Sequence, residues 1–269
     1  MEVLWEHNFK EMNVDPQEIQ VLLSESTFSS RAQREQETEL LFETFQIPYF
    51  CVMNEAVLGI YAMGRVTGLV VDMGYSMTQI VPILEGYVLP HAVVKMDVGG
   101  RHLTQFLAEM LRDRPGGSLS RGVVEEVKEK LCYVALDFEG EVERLGGSAR
   151  KSYGLPGGGT LEMGEEMVRC PEGLFRPGLL ERGGKGLPGR VQEVIEMCGE
   201  ELHKDLYGNV VISGGCSLFP GLHERFQKEL LPLAPPGIKV KVLDYNLKDL
   251  LVWVGGSIYS SLPNCFGPS

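Results

Sequence analysis

The sequence predicts an α/β fold, on three observations. Between residues 20 and 64 short apolar runs alternate with helical stretches, so each strand is joined to the next by a helical crossover and the pair is expected to be parallel. From Gly68 to Leu89 three strand-like runs follow one another with only tight turns between them. Further along, the apolar runs Asn209–Ile212 and Val240–Leu243 stand on either side of another helical segment.

Met1 to Met12 places Leu4, Trp5 and Phe9 at helical spacing and predicts a short helix. Val21-Leu22-Leu23 reads as a buried strand. Ser30 with Gln33 three residues on has the form of a capping box, opening a helix with Leu41 and Phe45 on one face until Pro48 stops it. Tyr49–Met53 is a second strand, and Glu55–Tyr61 a short helix that Gly64 ends. Gly68–Val71, Met77–Ile83 and Tyr87–Leu89 form a meander, turning at Asp72–Ser76 and at Glu85-Gly86. Leu103, Phe106, Leu107, Met110 and Leu111 then mark an amphipathic helix. A second long helix is predicted with Val123, Val127, Leu131, Val134 and Phe138 on its buried face. Between Gly140 and Arg190 glycine and proline accumulate, which predicts a loop-rich, loosely packed insertion with one hairpin at 151–163. Order resumes with a helix from about Arg190, the strand 209–212, a helix opened by Pro220 and broken by Pro232–Pro236, the strand 240–243, and a last helix, 250–262, interrupted by Gly255-Gly256.

Composition narrows the function classes. The 269 residues are 43% hydrophobic and 23% charged, an ordinary globular balance. A net charge of −12 argues against a nucleic-acid surface, which needs basic residues that outweigh the local acids. Met1-Glu2-Val3-Leu4 has no basic start, and no apolar run approaches the roughly 20 residues of a bilayer span, so neither secretion nor membrane insertion is expected. The six cysteines are widely spaced without a CxxC pair, which fits reduced, buried thiols.

Three turns could carry chemistry. Asp72 ends a strand with Gly74 in the turn behind it, the arrangement by which backbone N–H groups approach a phosphate and a carboxylate holds a hydrated cation; the same turn is also ordinary hairpin chemistry. Ser213-Gly214-Gly215 leads from an apolar strand towards a helix, where backbone can pass close to a ligand. Gly99-Gly100-Arg101 opens a helix and serves either close packing or a ligand.

Several longer runs are more specific. Lys128-Glu129-Lys130-Leu131-Cys132-Tyr133-Val134-Ala135-Leu136-Asp137-Phe138-Glu139 resembles actin almost letter for letter, as do Phe42-Glu43-Thr44-Phe45, Leu89-Pro90-His91-Ala92, Arg169-Cys170-Pro171-Glu172, Lys204-Asp205-Leu206-Tyr207 and Trp253-Val254-Gly255-Gly256-Ser257-Ile258. The chain is thereby identified as a divergent member of the actin family. The resemblance implies an actin-like, ribonuclease H-like fold with a nearly complete second lobe at 66–249. Residues 1–65 would be the remnant of a first lobe, without its opening strands and inserted subdomain, and 250–269 would belong with that lobe. The strands at 21–23 and 49–53 would then flank a vacant position.

The resemblance also implies a residual nucleotide half-site. Its phosphate loop would span Asp72 to Gln79 and include Gly74, with Asp72 facing a metal. Gly100 would be the hinge beside the nucleotide, Lys128 and Glu129 would contact the nucleoside, and Gly214, Gly215 and Leu218 would form the turn over it. Departures weaken that site. Tyr75 and Ser76 replace an acid and a glycine where the turn is expected to require positive φ, Gln79 and Glu55 stand where a water is positioned, and Asp249 replaces a lysine near the base. The expectation is a non-catalytic cytoplasmic protein of the cytoskeleton that contacts other proteins, actin or actin-binding proteins among them, and neither nucleic acid nor membrane. No cofactor is expected to be needed, and ATP with Mg would be held only weakly. The alternative is a weak ATP-binding switch.

Overall fold

The computed structural model describes residues 1–112, 119–147, 150–156, 158–243, 245 and 250–262. The chain divides into two compact units, Met1–Arg65 with Leu250–Ser269, and Val66–Asp249.

The first unit opens with α1 (Glu2–Met12), which ends at Asn13 in the left-handed conformation. Next come β1 (Gln20–Glu25) and α2 (Arg31–Glu39), whose N-cap Ser30 accepts the Gln33 N–H at 3.2 Å. β2 (Tyr49–Asn54) leads into α3 (Glu55–Ala62), which Asn54 caps by accepting the Ala56 N–H at 2.9 Å. β1 and β2 pair directly and in parallel, Gln20 opposite Tyr49 through Glu25 opposite Asn54. The vacant position expected between them does not exist. Six consecutive register pairs join the two strands, so each satisfies the other's inner edge.

The second unit is built on a mixed sheet. β3 (Gly68–Met73), β4 (Thr78–Leu84) and β5 (Tyr87–Val88) form the expected antiparallel meander, and β6 (Val94–Met96), a strand the sequence did not signal, pairs with β4. α4 (Gly100–Leu111) and α5 (Arg121–Leu131) follow. The predicted second helix stops at Leu131 rather than running on through Val134. Cys132 is extended, and the next two amide groups donate elsewhere, Tyr133 to Met167 O at 3.1 Å and Val134 to Pro220 O at 2.8 Å. Phe138 starts a separate helix, α6 (Phe138–Gly147).

The hairpin expected at 151–163 is present as β7 (Lys151–Gly154) and β8 (Thr160–Met163). The loose packing predicted for 140–190 is not. α7 (Glu166–Glu172) is largely buried, and Met163, Met167, Cys170, Leu174 and Leu187 all sit in the main core. Glycine and proline serve close approach here, since a Cβ on Gly186 would lie 1.8 Å from Phe175 O. α8 (Leu187–Glu196) and α9 (Glu200–Gly208) lead to β9 (Val210–Ser213), α10 (Leu222–Leu230) and β10 (Val242–Leu243). The sheet order is β10-β9-β3-β4-β5, with β9 parallel to both β10 and β3.

α11 (Leu251–Ser260) belongs to the first unit and is unbroken through Gly255-Gly256, contrary to the sequence expectation. Its glycines admit a neighbour: a Cβ on Gly255 would stand 1.8 Å from Leu58 O of α3.

Candidate functional site

The register of β3 against β9 sets Asp72 opposite Ser213 at the ends of two parallel strands, and Ser213 Oγ donates to Asp72 Oδ1 at 3.0 Å. The chain then turns sharply at Gly214. With φ of +83° and a would-be Cβ 2.6 Å from Met73 C and 2.8 Å from Asp72 Oδ1, only glycine fits there. Between β3 and β4, Gly74 N–H donates to Met77 O at 3.0 Å. The start of α4 docks onto this turn through Gly100 N–H to Gly74 O at 3.0 Å and Arg101 N–H to Tyr75 O at 2.8 Å. Gly99 is held by sterics, because a Cβ would lie 2.7 Å from Met77 N.

These turns and the inner face of α5 enclose a cavity of about 370 Å³. Of the eight residues picked from the sequence, Gly74, Gly100, Lys128, Glu129, Gly215 and Leu218 line it. Asp72 and Gly214 stand behind its wall, in the Ser213–Asp72 and Met73 contacts just described. Tyr75, Glu125, Cys216 and Phe219 line it as well. Sequence reasoning did not single out Glu125 or Cys216. Glu125 is one helical turn from Lys128 and could have been read from that spacing, whereas Cys216 enters only through the tertiary turn.

The charged groups restrain one another. The Lys128 side chain is 6% exposed, and its ammonium donates to Thr104 Oγ1 at 3.0 Å and Gly100 O at 3.4 Å, with Glu125 at 3.8 Å. Burial pushes the Cys216 thiol up to about 11, partly offset by the Lys128 ammonium, with Asp72 and Glu129 raising it further. It is a protonated, unreactive thiol.

The positive φ expected in the phosphate turn is absent: neither Gly74, Tyr75 nor Ser76 is left-handed. The four-residue connection closes on the Gly74–Met77 hydrogen bond instead, so Tyr75 and Ser76 sit there without backbone strain. Tyr75 turns towards α5, where its hydroxyl accepts from Arg121 and the guanidinium lies 5.6 Å from the ring centroid.

Gln79 is buried in β4 opposite Asp72, and Glu55 opens α3 in the other unit. Asp249 lies outside the described residues. Among the described residues no group of three or more His, Cys, Asp or Glu is arranged to hold a metal ion. Nor, among them, is any helix long and apolar enough to cross a membrane.

The mixed sheet, its crossover helices and the glycine turns at the strand ends define an α/β protein with a cleft at the ends of parallel strands. The family model described as Actin matches residues 1–121 and 116–266. The chain belongs to the actin family.

Proposed function

We propose that this chain is a non-catalytic member of the actin family that works through protein–protein contacts, in the cytoplasm and as part of the cytoskeleton, with actin or actin-binding proteins among its partners and neither nucleic acid nor membrane. The charge of the cavity wall carries this reading. Phosphoryl transfer is accelerated by cationic groups held in advance towards the charge that develops on the transferring phosphoryl, not committed to other partners. Among the described residues lining the cavity the one cation is Lys128, already engaged by Thr104, Gly100 and Glu125, while Glu125 and Glu129 add negative charge. Gln79, at the position where the resemblance implies a water-positioning side chain, is an amide buried within the sheet.

A second reading has its own support. The cavity is of small-ligand size and has glycines where a ligand must approach backbone closely, which suits a weakly held adenine nucleotide acting as a conformational switch. The residues suit the nucleoside better than the phosphates, whose Mg ion would have Asp72 as its protein carboxylate.

Purified full-length chain incubated with Mg-ATP separates the readings. The expected outcome is phosphate release at the blank level and no ATP-dependent rise in melting temperature. A rise without hydrolysis favours the switch, and steady hydrolysis abolished by Asp72→Ala overturns the non-catalytic reading.

A further inference from the structure

On the far side of the Tyr75–Arg121 contact, α4 and α5 bound a second cavity of about 500 Å³. Arg101, His102, Arg121 and Arg182 line it, and Ala108 and Leu119 contribute apolar surface to its wall. None of its described lining residues is acidic, although acids outnumber bases 37 to 25 in the chain.

The three guanidiniums differ from other cations nearby. Lys95 pairs with Asp97 at 3.3 Å, and Glu193 takes both Lys185 at 3.1 Å and Arg190 at 2.8 Å. Among the described residues no carboxylate pairs with Arg101, Arg121 or Arg182; Arg121 has only the neutral Tyr75 phenol and its ring. The imidazole of His102 accepts the Gly99 N–H at Nδ1, and burial, then Arg182 and Arg101, hold its pKa below the ordinary value. The ring therefore adds no charge near neutral pH, and the field of the groove is that of the three arginines. Like charges with no described carboxylate bonded to them repel one another, an effect that Asp97, the last and smallest of the influences on His102, offsets in part, and an anionic ligand relieves it further.

We propose that this groove binds an acidic peptide segment of a protein partner, its carboxylates on Arg101, Arg121 and Arg182 and an apolar side chain against Ala108 and Leu119. Arginine suits carboxylates because its planar fork makes paired hydrogen bonds. The apolar wall has no use for a free anion but accommodates a peptide side chain. A nucleic acid would need a basic track along its backbone, which one enclosed groove on an acidic chain does not offer. The proposal rests on the reading of this chain as a binding module. The two fail separately, because hydrolysis of ATP would overturn that reading without involving the groove.

The test is fluorescence anisotropy on the full chain with a labelled peptide in which Asp and Glu alternate with Leu. Two comparison peptides carry Asn and Gln in place of the acids, or a single phosphoserine as the one anion. The acidic peptide is expected to bind and the amide peptide not, with affinity falling as NaCl is raised. Arg182→Glu and Arg101→Gln should each weaken binding, the charge reversal by about tenfold or more, while Lys95→Glu leaves it unchanged. Melting curves that match the parent show that the loss is not unfolding. No binding of the acidic peptide, equal binding by folded Arg182→Glu and Arg101→Gln, or binding confined to the phosphoserine peptide would each overturn the proposal.

Discussion

In the Val66–Asp249 unit, β3 and β4 are buried almost end to end, and the helices around them share one continuous hydrophobic core. In the other unit β1 and β2 are only half-buried and α2 buries none of its residues; among its described residues a small cluster gathers around Phe9, Leu41 and Ile47, and α3 is buried from Ala56 to Ile60. Both regions carry the same kinds of apolar run, and both form the strands those runs predict. The difference lies in how much surface covers a strand once it has formed: β3 has strand neighbours on both edges and core on its faces, whereas β1 has one strand neighbour, β2, and stays half-buried although Val21 packs on the Phe9 cluster and Leu22 lies against α11. Local pattern specifies that an element forms. Its protection is a property of the layer that closes over it.

The largest expected effect is on the well-covered side. Arg225 is nearly inaccessible, donating to Glu172 Oε1 at 3.1 Å and Ala135 O at 2.6 Å, pairing with Glu229, and lying 5.0 Å from the Phe175 ring centroid. Glu172 is 1% exposed, and its carboxyl lies above the usual range because burial outweighs the attraction of Arg225 and Arg176. Removing Arg225 leaves the buried Glu172 with the half-exposed Arg176 alone and takes the partner from Ala135 O, so Arg225→Ala should cost about 3 kcal/mol in denaturant unfolding. Arg176→Ala, which takes away the half-exposed contact at 3.0 Å, should cost far less. Equal losses would show that this core does not isolate the pair from water and would remove half of the contrast between the units.

The middle-sized effect belongs to the thinner unit. Gly255→Ala drives a methyl into Leu58 O and must push α11 off α3, at a cost of roughly 1–3 kcal/mol. Because α3 is buried against α11 and the strands beside them are only half-buried, amide exchange in α3, β1 and β2 should quicken, while β3, β4 and β9 keep their protection. In the unmodified chain the same ranking holds, with β1, β2 and α3 exchanging much faster than β3, β4 and β9. Equal protection of β1 and β3 would break the comparison outright.

Sequence reasoning found what is local and missed what depends on a distant neighbour. The Gly68–Leu89 meander was legible because two apolar strands and their turns lie within a few residues of one another. The end of α5 was not, because the acceptors that draw Tyr133 and Val134 out of the helix come from Met167 and Pro220. Gly255-Gly256 read as a helix break because glycine signals flexibility locally, whereas here it signals close packing on Leu58. The site residues divide the same way. Asp72, Gly74, Gly214 and Gly215 sit at or beside turns whose composition is distinctive, while the arginine groove gathers side chains from positions 101, 121 and 182 that no sequence window contains.

The smallest expected effect tests whether the edge of the larger unit is as firm as its centre. Glu141, at the start of α6, accepts from two of the guanidinium nitrogens of Arg144, Nε at 2.9 Å and Nη2 at 2.6 Å, and from the Tyr133 hydroxyl. The Arg144 hydrogen bond, then that of Tyr133, lowers its pKa from 4.5 to about 2. A carboxyl whose folded pKa is depressed adds stability that is fully present above 4.5 and is lost as the pH falls towards about 2. Because the group lies near the surface, water and salt screen most of that gain. Urea unfolding of the parent and of Glu141→Gln should therefore differ slightly at pH 7 and converge below the ordinary carboxylate range. Curves that stay parallel across that window would mean that the Arg144 pair contributes nothing to folding. The firm core of this unit would then end at Leu145, the buried side of the same helix, rather than reach its solvent face.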